Sequence, residues 1–188
     1  TDNRAVSKIV EVFRNNPDAG IVSARCVDID GSGKLIGPIN IAPEHITREF
    51  LLRRSVIIQP GSFFKKEVVA DYSMDTSESM YYVFDWDFFI RASEKYKLIP
   101  AVFFVAACRQ HNTTKTNTGG ARRVKEIIGI YSKYLGHNSW QRRVASIFYR
   151  LYLWNESLPG MFANKFSPII RGLAVIIYKI SGKRIIIL

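Results

Sequence analysis

Residues 84–91, Phe84-Asp85-Trp86-Asp87-Phe88-Phe89-Ile90-Arg91, set two carboxylates and a guanidinium inside one of the most aromatic segments of the chain. Buried charge is costly unless it is paired or used, so acids lodged among Phe and Trp side chains call for an explanation. At helical spacing Asp87 and Arg91 stand four residues apart and form an ordinary surface ion pair, while Phe84, Phe88 and Ile90 turn inward. The other reading is that one of the acids is used chemically, and the neighbouring sequence bears on that choice.

Downstream, Ser93 to Lys97 closes the helix, and Leu98 to Ala107, LIPAVFFVAA, reads as a continuous apolar strand of a sheet covered on both faces. It delivers the chain to the hydrophilic run Cys108-Arg109-Gln110-His111-Asn112-Thr113-Thr114-Lys115-Thr116. The end of a buried strand is where α/β proteins put functional groups. His111 there is a metal ligand, a phosphate donor or a bystander.

Upstream, residues 4–14, RAVSKIVEVFR, place Ala5, Val6, Ile9, Val10, Val12 and Phe13 on a broad stripe, an amphipathic helix closed by Asn15-Asn16-Pro17. Ala19 to Asp28 reads as a buried strand and Ile29 to Lys34 as its turn. Asp28-Ile29-Asp30 has the form of a D-x-D metal motif, but Asp followed by Gly, Ser and Gly is what a hairpin turn needs. Pro38 and Pro43 break the pattern after Leu35, giving a loop and then a short helix starting near Thr47. Gln59-Pro60-Gly61-Ser62 marks a turn, after which Phe63 to Val69 resumes as a helix or a strand–helix junction. Beside Arg53-Arg54, that turn is either an ordinary one or a place where backbone N–H groups hold phosphate or sugar. Asp71 to Ser79 is a polar connection into the aromatic helix.

The 188 residues, nearly half of them apolar, suffice for one core and a small appendage. The net charge of +11 is unevenly placed. Residues 1–108 carry 13 Lys/Arg against 14 Asp/Glu, whereas residues 109–188 carry 14 against 2, a net +12. Such a surplus suits nucleic acid, anionic lipid or a phosphorylated substrate. Cys26 and Cys108 are too few for a disulfide framework and point to a reducing compartment. After Gly119-Gly120 three helical stripes follow, over 124–135, 140–154 and 167–178, before Ser181 to Leu188 closes the chain. None reaches about 18 uninterrupted apolar residues, so no membrane-spanning helix is expected. Arg142, Arg143 and Arg150 among Trp, Tyr and Leu bodies have the character of an interfacial helix, or of a plain bundle packed on the core. The aromatics lie at core-like spacing without a nucleic-acid motif, so nucleic acid is not the expected partner.

Four segments taken in order, PDAGIVSARCVDIDGSGKLIG (17–37), IIQPGSFFKKEVV (57–69), DTSESMYYVFDWDFFIRASEKYKLIPAV (75–102) and CRQHNTTKT (108–116), resemble glycosyltransferase family 2. The likeness spans residues 4–135. The family transfers a sugar from a nucleotide sugar with inversion, on a GT-A fold. It implies an α/β chain: a partial GT-A, Rossmann-like fold with a mixed sheet over residues 1–136, followed by a basic amphipathic helical tail over 137–188.

By the same resemblance Asp85 matches the general base and Arg91 the Arg six positions on, with Asp87 supporting the helix through Arg91. Phe84 stands where the family often has Glu. An inverting transfer needs one carboxylate to take the proton of the incoming hydroxyl, and Asp is ionised at neutral pH. Gln59, Gly61, Ser62 and Trp86 match acceptor contacts. His111, with Arg109 and Lys115, matches the side holding the metal or the leaving diphosphate. The complete enzyme is expected to use Mg or Mn. The family's nucleotide-binding half and its D-x-D would precede Arg4, so the chain resembles the acceptor half, with a separate or truncated N-terminal half as partner. The expected activity is sugar transfer to a glycan or lipid-linked acceptor in cell-envelope polysaccharide synthesis, in the cytoplasm and peripheral on the inner face of the membrane, with 137–188 on its anionic surface. The rival is a non-catalytic binding module that keeps only the acceptor-side fold.

Overall fold

The computed structural model describes residues 3–36, 44–111, 113–159 and 165–181. The loop assigned around Pro38 and Pro43, Asn112 and the closing residues 182–188 lie outside them. The chain is α/β, a three-stranded mixed sheet followed by a run of helices, consistent with a partial Rossmann-like fold and a helical tail.

Helix α1 (Ala5–Asn15) leads into strand β1 (Ala19–Ile29), as the stripe and the apolar run require. Helix α2 (Arg48–Arg53) begins after Thr47, whose hydroxyl accepts the Phe50 N–H at 3.2 Å. A 3₁₀ turn at Gln59–Gly61 precedes strand β2 (Ser62–Phe64) and helix α3 (Lys66–Asp71). Helix α4 (Phe84–Ala92) carries the opening motif, and strand β3 (Lys97–Arg109) follows. The sheet order is β2-β1-β3. β2 runs antiparallel to β1, with Ser62 opposite Ser23, and β3 runs parallel to it, from Ala19 opposite Lys97 to Ile29 opposite Arg109.

Central β1 is buried from Ala19 to Ala24. On one face of the sheet Ile9 of α1 packs with Val22, Ala24 and Ala101, and Phe13, Phe63 and Phe103 close around them. Because successive residues of a strand point to opposite faces, Phe64 emerges on the other side. There it meets Phe88 of α4 edge to face, with ring centroids 5.5 Å apart. Trp86, Phe88, Phe89 and Ile90 are buried, each contributing about 1.5–3 kcal/mol.

β3 departs from the expectation of a strand covered on both faces. It lies at the sheet edge and Val102 is 73 % exposed. A run of apolar letters does not distinguish a central strand from an edge strand with one open face. The edge position also accounts for Pro100, which has no N–H to give to a second neighbour.

The chain forms two compact units. The first comprises residues 1–51, 56–75 and 85–112, the second residues 52–55, 76–84 and 113–188. After a short turn of helix, α5 (Lys115–Thr118), the second unit holds α6 (Gly120–Leu135), α7 (Trp140–Ser157) and α8 (Ser167–Ser181). Helix α6 sits in this unit because Val124, Ile127, Ile130 and Tyr131 are buried alongside Val144, Ala145 and Phe148 of α7. The Glu156 carboxylate of α7 accepts the Ala121 N–H at 2.7 Å, satisfying an orphan donor at the start of α6.

Candidate functional site

In α4 the acids occupy the first turn and Arg91 the last, the arrangement that complements the helix dipole. The two acids differ in surroundings. Asp87 is only 2 % exposed, and its Oδ2 accepts the Arg91 Nε–H at 2.7 Å. Arg91 also donates through Nη2 to the Ser73 carbonyl at 2.7 Å. The expected surface ion pair is therefore a buried carboxylate held by a partly exposed guanidinium, because the apolar face of α4 extends around Asp87. Asp85 is half-buried, and its Oδ1 accepts the N–H of Trp86 at 2.8 Å.

Trp86, matched by the resemblance to an acceptor contact, is buried in the core. Its indole N–H donates to the Leu51 carbonyl at 2.7 Å and ties α4 to α2. Arg48 of α2 donates to the Ile90 carbonyl in the last turn of α4 and pairs with Glu94 at 2.7 Å. Helix α4 is thus anchored near both ends, through Trp86 and through the Ile90 carbonyl.

Within the Gln59–Ser62 turn the side chains separate in the same way. Gln59 is exposed. Gly61 is buried against β1: a Cβ there would lie 2.6 Å from the Ala24 carbonyl oxygen and 2.7 Å from Cys26 Sγ. Its lack of a side chain is therefore a packing requirement. Ser62 donates its hydroxyl to the Ile58 carbonyl at 3.0 Å.

At the carboxyl ends of β1 and β3 the Asp28-Ile29-Asp30 segment folds as a turn. Asp30 Oδ1 accepts the Ser32 N–H at 2.9 Å, the Ser32 hydroxyl at 2.6 Å and the Lys34 N–H at 3.0 Å, and Gly33 takes φ +90°. Those hydrogen bonds, the Ser32 hydroxyl foremost, hold the Asp30 carboxyl below its usual range. Arg109 Nη1 donates to the Asp30 and Gly31 carbonyls, both at 2.8 Å, and Gln110 Nε2 donates to Asp28 Oδ1 at 3.0 Å. Arg109 thus clamps the turn, while His111 follows on the exposed side. Just inside, the Cys26 and Cys108 thiols are hydrogen-bonded to each other. Burial, reinforced by Cys108, pushes Cys26 up to about 12. Among the described residues no three His, Cys, Asp or Glu side chains gather to hold a metal ion.

Lys115 belongs to the helical unit. Its Nζ stands 3.6 Å from the centroid of the Tyr81 ring and 4.9 Å from that of Phe84, and the Arg122 guanidinium lies 5.1 Å from Tyr81. Glu126, buried in α6, accepts the Tyr82 N–H through Oε2 at 2.6 Å, and its Oε1 lies 3.8 Å from Arg122 Nε. This cluster of aromatic rings and cations was not anticipated. Tyr81-Tyr82 and Arg122-Arg123 are visible as letters, but nothing local says that they meet.

Searches of protein-family models and of curated proteins find no match to this chain.

Proposed function

We propose that the chain is the acceptor side of an inverting sugar transferase of the family 2 type. It acts with a donor-binding half on a glycan or lipid-linked acceptor in cell-envelope polysaccharide synthesis. The observation that carries the reading is the division of the two acids: Asp87 is buried and committed to Arg91, whereas Asp85 is half-buried in the first turn of a firmly packed helix. A base has to meet solvent or substrate on one side and be held still on the other.

In the proposed reaction the acceptor oxygen attacks the anomeric carbon of the donor and gives its proton to the Asp85 carboxylate. The bond between that carbon and the diphosphate oxygen breaks, and the nucleoside diphosphate leaves with the bonding electrons. Gln59, exposed at its turn, is the acceptor contact retained in this reading; Gly61 and Ser62 hold that turn, and Trp86 fixes α4 to α2. His111, exposed beyond the end of β3, is the group this reading assigns to the leaving diphosphate. The divalent metal implied by the resemblance lacks a donor set among the described residues, and no step here is routed through one.

Transfer of label from a nucleotide sugar to glycan, measured with the chain joined to a donor-binding half, tests the reading. Asp85→Asn is expected to lower turnover by about 10²–10⁴-fold with an unchanged circular dichroism spectrum. Turnover close to that of the parent in this variant would remove Asp85 from the mechanism.

A further inference from the structure

Helix α7 turns Arg143, Ile147, Arg150 and Trp154 outward, and their spacings of four, three and four residues align them in one exposed stripe. The opposite side of α7 already packs inward through Val144, Phe148 and Tyr152. On α8, Ile169, Leu173 and Ile176 repeat the pattern as a purely apolar stripe, while Ile170 and Ala174 are buried. Ile147, Trp154, Ile169 and Ile176 are each more than half exposed. Both helices lie in one compact unit. Large apolar side chains aligned outward on helices whose inner faces are satisfied mark an interaction surface.

Charge selects the occupant. Residues 109–188 carry 14 Lys/Arg against 2 Asp/Glu, and exposed Arg143 and Arg150 stand between the apolar members of the α7 stripe. A second copy of so basic a surface would be repelled, and nucleic acid would leave the aliphatic stripe of α8 uncovered. A bilayer with acidic headgroups meets both needs, since aliphatic and indole groups enter the headgroup boundary while guanidinium groups stay at the phosphates. No described helix is long and apolar enough to cross a membrane, so the contact is with the surface.

We propose that the outward stripes of α7 and α8 dock this protein on an anionic lipid bilayer. The inference deepens the acceptor reading by bringing the chain to the kind of surface that carries a lipid-linked acceptor, but it stands on exposure and charge and not on the transfer reaction.

Co-sedimentation of the full chain with vesicles of phosphatidylcholine and phosphatidylglycerol, against phosphatidylcholine alone, tests it without any catalytic readout. The chain is expected to pellet with the anionic vesicles and to be released by salt. Arg143→Gln with Arg150→Gln is expected to weaken binding by about thirtyfold, from about fivefold per removed charge near the surface. Ile169→Gln with Ile176→Gln should weaken it by about tenfold. Failure of the parent chain to bind anionic vesicles overturns the proposal. So does concentration-dependent self-association that the Ile169→Gln, Ile176→Gln variant abolishes, or tighter binding to an oligonucleotide than to the vesicles. Comparison of the two vesicle types with the parent chain decides the matter even if a variant misfolds.

Discussion

Replacing Asp87 by Ala removes a carboxylate that is 2 % exposed and hydrogen-bonded to Arg91 at 2.7 Å, and the cost follows from what is left behind. Breaking a fully buried pair by removing one partner costs about 3–5 kcal/mol, because the remaining charge is uncompensated. Here the Arg91 side chain keeps 24 % of its surface exposed and retains the Ser73 carbonyl, so part of its hydration survives. The expected loss is therefore about 2–3 kcal/mol, a fall of about 5–10 °C in the melting temperature of a chain this size. Asp85→Asn removes a charge from a half-buried position and leaves an amide oxygen able to accept the Trp86 N–H, so its effect should stay within about 0.5 kcal/mol. Urea denaturation followed by circular dichroism reads both, and the slope of the transition checks whether the two units unfold together. Pairing Asp87→Ala with Arg91→Ala closes a double-mutant cycle, in which about 1.5 kcal/mol or more of the loss should vanish. Equal losses for the Asp85 and Asp87 variants, or a negligible loss for Asp87→Ala, would refute the division of labour between the acids.

Gly61→Ala puts a methyl group 2.6 Å from a backbone carbonyl oxygen of β1 and is expected to cost about 1–3 kcal/mol in the same denaturation experiment. A neutral effect would show that the turn yields easily and is not held by packing. For Cys26 the folded thiol titrates at about 12, above its ordinary value, so its contribution to stability is fully present below the ordinary thiol range and is lost as pH rises through the window up to about 12. Stability measured from neutral pH upward should accordingly fall less steeply in Cys26→Ala than in the parent chain, and identical slopes would count against the burial argument.

Where the determinants are local, the sequence alone was sufficient. The stripe over residues 4–14, the apolar run from Ala19, the Asp30-Gly31-Ser32-Gly33 turn and the three C-terminal stripes all appear as the predicted elements. The reason is that helix and strand periodicity and turn chemistry act over a few residues. The same holds for the ion pair of Asp87 with Arg91, which four-residue spacing specifies without knowledge of the fold.

Tertiary structure decided whatever depends on distant partners. Burial turned Asp87 from a surface charge into a core one and drew Trp86 inward to the Leu51 carbonyl, because α2 packs on α4. Gly61 is required by the β1 backbone beside it, and Arg109 is drawn to a turn that lies far away in sequence. The exposure of Val102 on β3 depends on what packs against that face of the sheet, and the meeting of Lys115 and Arg122 with Tyr81 follows from the packing of the helical unit. In residues 84–91 the letters specify a helix with two acids, and only the packing of its neighbours buries one acid and leaves the other half-buried, since solvent exposure is a property of the assembled chain.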